Sequence, residues 1–370
     1  MKNFSDLSAV PVPSCGKKLL LALTVPVAFA AMAQAPAAPP MLAPQIVELA
    51  NFKFASGEIM DKLKLQFATL GTPKRDASGN ITNAVINPHG WSGDYSQTST
   101  LAKGMLGVGK LLDPEKFFII FPTAIGSPGS SSPSTSGLGP KFPKYTVQDM
   151  VTAQYRLVTE HLGIKKLVGV TGISMGGYQT AQWITQYPDM MDWAIPITTH
   201  YKQSGRNIGI FGVMSHTIRS DAAYQNGDYK EQPREAMRRA FMGTYLWYFG
   251  EPYYDAQFKT EEQALKGLVS AGLGSDSMDA NDIVRRNDAL NVFNVEKELF
   301  RVKAKVLVVG VEEDELFPGK ESIRPMAAAI PGAKVFVYSS SLGHIGGAVQ
   351  IANAMPAMLD FVREVEREKR

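Results

Sequence analysis

The sequence has one cysteine, Cys15, among 370 residues. Cys15 precedes an apolar N-terminal run, in a segment expected to be removed, and on the wrong side of that run for a lipid-modified cysteine. The mature chain is therefore expected to hold no disulfide, no thiol nucleophile and no cysteine metal site. Histidine is scarce too: there are five, none in an H-E-x-x-H pattern, and no second histidine stands at ligand spacing from His89. No metal or organic cofactor is implied. Lys and Arg number 38 against 35 Asp and Glu, a net +3, which is too small a field to imply nucleic acid. After the N-terminal segment no apolar run is long enough for a membrane span, and no internal repeat is visible.

What remains is ordinary globular composition: 45% hydrophobic, 20% charged, 33 Gly and 23 Pro. The length suits one large domain with an insertion, or two domains. Lys17 and Lys18 precede the apolar run 19–32, followed by Ala33-Gln34-Ala35 and the proline-rich stretch from Pro36. That order reads as a secretory signal peptide over 1–35 and a linker over 36–45, with a periplasmic or secreted product. Removing residues 1–35 takes away Lys2, Lys17, Lys18 and Asp6 and leaves a net charge of +1.

Residues 46–54 and 62–70 read as a hairpin, with Leu63, Leu65, Phe67 and Thr69 alternating with Lys64, Gln66 and Ala68. Short apolar runs follow at 84–86, 117–121, 167–170, 193–197, 306–309 and 335–338. Several are nearly continuous, as in strands buried on both faces of a parallel sheet. Helical patterns at 147–162, 175–187, 323–329 and 349–365 separate them. The expected class is α/β, with a mostly parallel central sheet and helices on both faces. The rhythm breaks at 205–300, which is charged, aromatic and mostly helical in pattern. This segment is expected to be a cap inserted between core segments 46–204 and 301–370. At least half of its aromatics, among Tyr245, Trp247, Tyr248, Phe249, Tyr253 and Tyr254, are expected to form the cap's own core. The Ser, Gly and Pro-rich stretch 126–137 reads as a long loop in a position where functional loops sit.

The main chemical signal is Gly172-Ile173-Ser174-Met175-Gly176, a G-x-S-x-G between a predicted strand and a predicted helix. A serine on such a turn stands clear at the sheet edge, beside the positive end of a helix. It needs a base and an orienting acid, which follow it in the order acid, then histidine. His344 is the only histidine C-terminal to the acidic loop 312–315; His89, His161, His200 and His216 lie too early. Spacing leaves Glu312, Glu313, Asp314 and Glu315 open as the acid, with Asp314 favoured because it precedes Leu316-Phe317-Pro318. Two backbone N–H groups are needed for the oxyanion. Met175, directly after the serine, is one; the loop Pro88-His89-Gly90-Trp91-Ser92-Gly93 supplies the other, with Trp91 chosen within it and His89 bracing the loop.

Gly126-Ser127-Pro128-Gly129-Ser130-Ser131-Ser132-Pro133-Ser134, Phe142-Pro143, Leu162-Gly163-Ile164, the serine elbow, Tyr187-Pro188-Asp189 and Asp314-Glu315-Leu316-Phe317-Pro318 together resemble the homoserine O-acetyltransferase family of α/β-hydrolase-fold proteins. The resemblance spans roughly residues 45–365. It implies Ser174, Asp314 and His344 as nucleophile, acid and base, an oxyanion donor at Trp91, and a helical cap. Homodimer pairing through the caps is compatible with it. The departures are informative. The family carries a glycine before the serine where this chain has Ile173, and an aspartate after the histidine where this chain has Ile345. Its substrate-binding arginine falls loosely on Arg238 or Arg239, and Asp279-Ala280-Asn281-Asp282 resembles the family's hydrolase-like branch. The expected function is a serine hydrolase acting on a small-molecule carboxylic ester through an acyl-enzyme. The alternative is an O-acyltransferase that passes the acyl group to an alcohol.

Overall fold

A computed structural model describes residues 42–203 and 205–369. The expected signal peptide 1–35 and most of the linker lie outside the described residues. Among the described residues eight strands form one sheet: β1 (Gln45–Lys53), β2 (Ile59–Leu70), β3 (Ala84–Ile86), β4 (Phe118–Pro122), β5 (Leu167–Ile173), β6 (Met191–Ile197), β7 (Lys305–Val311) and β8 (Lys334–Tyr338). Their spatial order is β1-β2-β4-β3-β5-β6-β7-β8. The β1–β2 and β2–β4 pairs are antiparallel and all the others are parallel. The β1–β2 ladder runs down to Lys53↔Ile59, so β2 starts earlier than the alternation suggests. Gly57, at φ 92°, supplies the left-handed residue of the tight turn.

The helices are α1 (Gln97–Thr100), α2 (Val147–Arg156), α3 (Met175–Gln186), α4 (Gly205–Arg219), α5 (Arg234–Tyr245), α6 (Glu251–Gln257), α7 (Glu261–Gly272), α8 (Ala280–Asn291), α9 (Arg324–Ala329), α10 (Gly343–Val349) and α11 (Met355–Glu368). The pattern at 349–365 predicts one helix, but the chain breaks between α10 and α11. Pro356 sits in the first turn of α11, where its missing N–H costs nothing.

Side-chain alternation divides the core. Ile86, Phe118, Ile120, Val306 and Val308 face one side of the sheet, packed with Met150 of α2, Tyr178 of α3 and Met326 of α9. Val85, Ile119, Phe121, Leu307 and Val309 face the other, packed with Ala348 of α10 and Met358 and Phe361 of α11. Neighbouring residues of one strand enter different layers, which is why these runs are continuously apolar. Helices α4 to α8 all lie between β6 and β7 in the chain. No single helix among the described residues is long and apolar enough to cross a membrane.

Candidate active site

The parallel strands deliver their loops to one carboxyl edge, where open α/β sheets hold ligands. β5 ends at Ile173, and Ser174 follows with φ 60° and ψ −118°, after which α3 begins. For a residue with a side chain this is a strained conformation, held by its surroundings. Ser174 N–H donates to the Ile197 carbonyl at 2.9 Å. A Cβ on residue 172 would lie 2.5 Å from the Gly176 carbonyl, and one on residue 176 would lie 2.3 Å from Pro88 O. The two motif glycines are therefore required by close backbone approach.

His344 stands in the first turn of α10, after β8, and Asp314 in the loop after β7. Ser174 Oγ donates to His344 Nε2 at 2.9 Å, and His344 Nδ1 donates to Asp314 Oδ2 at 2.8 Å, a tautomer assigned from the bonding pattern. Asp314 is fully buried, and its other oxygen accepts the N–H groups of Leu316 and Phe317 at 2.8 and 2.9 Å. That fixes the carboxylate plane against the imidazole. The other three acids of the loop are engaged elsewhere. Glu312 pairs with Arg324, Glu315 with Arg206, and Glu313 accepts from Ser339 and the Ser340 N–H.

The loop after β3 carries Trp91, which lies beside Ser174 in the wall of one cavity. His89 is buried beneath the loop: its Nδ1 donates to the Gly90 carbonyl at 2.6 Å and its Nε2 accepts Ala124 N–H at 2.9 Å. Burial pushes its pKa down to about 4, so the ring is neutral at ordinary pH. Gln97 accepts the Gly90 N–H at 2.5 Å, and Gln179 donates to the His89 carbonyl at 3.1 Å. Neither Trp91 N–H nor Met175 N–H donates to a protein acceptor among the described residues. Arg286 and Asn287 of α8 also reach Trp91, at its carbonyl and its indole N–H. Gln97, Gln179, Arg286 and Asn287 carry no spacing signal in the sequence, because their partners are 7 to 196 positions away.

A cavity of about 340 Å³ opens above Ser174 and His344. Its apolar wall includes Leu101, Phe211, Phe241, Met278, Leu316 and Ile345. Of the six aromatics singled out between 245 and 254, Tyr245 and Tyr248 line it. Tyr253 stacks on Phe249 with ring centroids 4.0 Å apart, Tyr254 packs edge-on against Phe249, and Trp247 lies over Arg206. Burial raises the Tyr248 phenol well above its ordinary range, so it stays neutral.

Neither Arg238 nor Arg239 reaches the cavity, which corrects the alignment that makes them substrate ligands. Arg238 is held by Asp276 at 2.6 and 2.8 Å and by Glu235 at 2.8 Å, and Arg239 pairs with Asp221. The serine-rich stretch 126–137 does not line the cavity either. Most of its hydroxyls are taken up in hydrogen bonds within the fold, whereas Ser127 Oγ is buried without a partner. Ser130 and Ser131 accept from the backbone of β2, and Ser134 is bound by Asp282 at 2.6 and 2.9 Å. Asp279 caps α8 by accepting the N–H groups of Asn281 and Asp282.

A sequence profile of the α/β hydrolase fold matches residues 83–345. A probable acyltransferase of Methanothermobacter thermautotrophicus is 37% identical, covering 81% of this chain and 91% of that protein. A homoserine O-acetyltransferase of Pelobacter propionicus is 30% identical over 80% of this chain and 89% of its own. The chain is a homoserine O-acetyltransferase-like member of the α/β-hydrolase family. Among solved structures, an acetylester hydrolase from Corynebacterium glutamicum superposes with a TM-score of 0.76 at 25% identity, covering 88% of this chain and 96% of that one. Relatives named as esterases and as acyltransferases thus share this fold and length. As an α/β hydrolase with both kinds of relative, the chain is an enzyme of acyl-group chemistry.

Proposed function

We propose that the protein is an exported serine hydrolase that cleaves uncharged carboxylic esters through an acyl-enzyme. The observation that carries this reading is the wall of the cavity. Apart from His344 itself, no side chain among the described residues that ordinarily carries charge lines it. An amino-acid acceptor brings an ammonium and a carboxylate, and burying either without a partner costs several kcal/mol. Ile345, directly after the base, offers neither charge nor hydrogen bond to such a group. An uncharged ester meets no such penalty and gains from the apolar wall.

In the proposed mechanism Ser174 Oγ attacks the ester carbonyl as its proton passes to His344 Nε2. The buried Asp314 carboxylate holds the Nδ1 proton and stabilises the imidazolium. The N–H groups of Trp91 and Met175 receive the oxyanion. His344 then protonates the leaving alcohol, and a water activated by the same imidazole releases the acid. The N-terminal segment 1–35 supports export, where acyl-CoA donors are scarce. The second reading keeps the same acyl-enzyme but lets an alcohol resolve it, and the relatives named as acyltransferases favour it.

The test compares the purified protein with Ser174→Ala on p-nitrophenyl esters of increasing acyl length, with and without homoserine or a neutral alcohol. Nitrophenol and free acid from the parent alone, unaltered by acceptors, support the hydrolase. Acyl-homoserine or a new ester in place of free acid supports the transferase. Equal rates from parent and Ser174→Ala sink both.

A further inference from the structure

Helix α8 belongs to the segment between β6 and β7, yet consecutive residues on it reach under the sheet's carboxyl edge. Arg286, only 4% exposed, donates from Nη1 to the Trp91 carbonyl at 2.7 Å and from Nη2 to the Gly126 carbonyl at 2.8 Å. Its guanidinium lies 5.1 Å from the centroid of the Trp91 ring. Asn287, fully buried, accepts the Trp91 indole N–H on Oδ1 at 2.8 Å. One turn earlier, Asp282 anchors the serine-rich loop, so a single helix grips both that loop and the loop that carries Trp91.

Three successive carbonyls of the loop, those of His89, Gly90 and Trp91, are pinned. In the 89–90 peptide the carbonyl is held by Gln179 and the N–H by Gln97. In the 90–91 peptide the carbonyl is held by His89. In the 91–92 peptide the carbonyl is held by Arg286. The Trp91 N–H is thus a free donor between pinned planes. Arg286 fixes the plane that follows it, and Asn287 fixes the side chain of the same residue. No carboxylate hydrogen-bonds to Arg286 among the described residues: its hydrogen bonds go to two carbonyls, its plane lies against the Trp91 ring, and its Nε has no partner. For stability by itself an apolar side chain would serve better at such a position.

We propose that Arg286 and Asn287 are positioning residues that hold the Trp91 N–H in the oxyanion site, which makes the inserted segment part of the acyl-transfer machinery. The proposal rests on the hydrolase or transferase reading of Ser174. Mispositioned donors cost rate rather than ground-state binding, because the oxyanion exists only near the transition state.

The experiment measures kcat and KM on p-nitrophenyl acetate, Ki for phenylboronic acid, and Tm. Its proteins are the parent, Arg286→Met, Arg286→Lys, Asn287→Leu, Trp91→Phe and the Trp91→Phe/Asn287→Leu pair. Phenylboronic acid is used because its adduct with a serine is tetrahedral. Arg286→Met is expected to lower kcat about 10- to 100-fold and to weaken phenylboronic acid by a similar factor, with KM changed less than about threefold. Arg286→Lys, able to reach one carbonyl, should recover part of the loss. Because Asn287 acts through the indole N–H, its substitution should lower kcat in the parent and add little once Trp91→Phe has removed that group. Should Arg286→Met fail to fold, the Trp91 and Asn287 cycle carries the test alone. Folded variants that keep kcat within about threefold of the parent, or additive losses in the cycle, overturn the clamp while leaving the ester reading intact. A parent that turns over no ester overturns the reading of Ser174 and the clamp with it.

Discussion

The buried histidine beneath the oxyanion loop makes a quantitative prediction. His89 is 3% exposed, and burial sets its pKa at about 4. In the unfolded chain the same imidazole titrates near 6.5. Between those two values the unfolded state binds more protons than the folded state, so stability falls as the pH drops through that window. Above the unfolded value both forms are neutral and the contribution vanishes. Taking one site with these two values, the loss between about pH 7.5 and pH 5 is about 2 kcal/mol. The perturbation is His89→Gln, whose amide can still make one bond to the loop but does not titrate. Urea unfolding of parent and variant at both pH values isolates the site, because the carboxylates and His200, also depressed to about 4, are shared and cancel. The variant is expected to be less stable at the higher pH, yet to lose about 2 kcal/mol less than the parent on acidification. Equal losses would refute the view that His89 is held neutral as the donor to Gly90 and acceptor from Ala124.

Two further predictions bear on the site. Gly172→Ala places a Cβ 2.5 Å from the Gly176 carbonyl, so the elbow must shift. Ester hydrolysis is expected to fall at least about tenfold, with overpacking costing about 1–3 kcal/mol in a thermal or urea melt. Arg238→Met breaks only the pairs with Asp276 and Glu235, outside the cavity. It is expected to leave kcat/KM for nitrophenyl esters within about twofold of the parent, whereas a large rise in KM would restore Arg238 as a substrate ligand.

Much of the architecture was legible because its signals are local. A strand buried on both faces reads as a continuous apolar run, and the elbow requires small residues two positions on either side of Ser174. Strand, serine and helix are adjacent in the chain. The order of acid and histidine after the serine follows from the order of β7 and β8. Where reading failed, a nonlocal choice was at stake. The helical pattern at 349–365 did not reveal the break before Pro356, because the apolar face continues across it while the backbone does not. The serine-rich loop reads as functional by composition, but it does not line the cavity, and the hydroxyls of Ser130, Ser131 and Ser134 bond to β2 and Asp282.

By itself, then, the sequence determined the α/β class, the position of the serine elbow and a short set of partners for it. These depend on periodicity and on residues within a few positions of one another. Only the tertiary structure decided which of four adjacent acids lies 2.8 Å from His344, because that depends on where the loop after β7 turns. It also decided that Tyr245 and Tyr248 face the cavity while Phe249 and Tyr253 stack on each other. Above all it placed Arg286 and Asn287 against a tryptophan nearly two hundred positions earlier. Contacts at that separation are set by how helices dock on the sheet, and a sequence pattern carries no trace of docking.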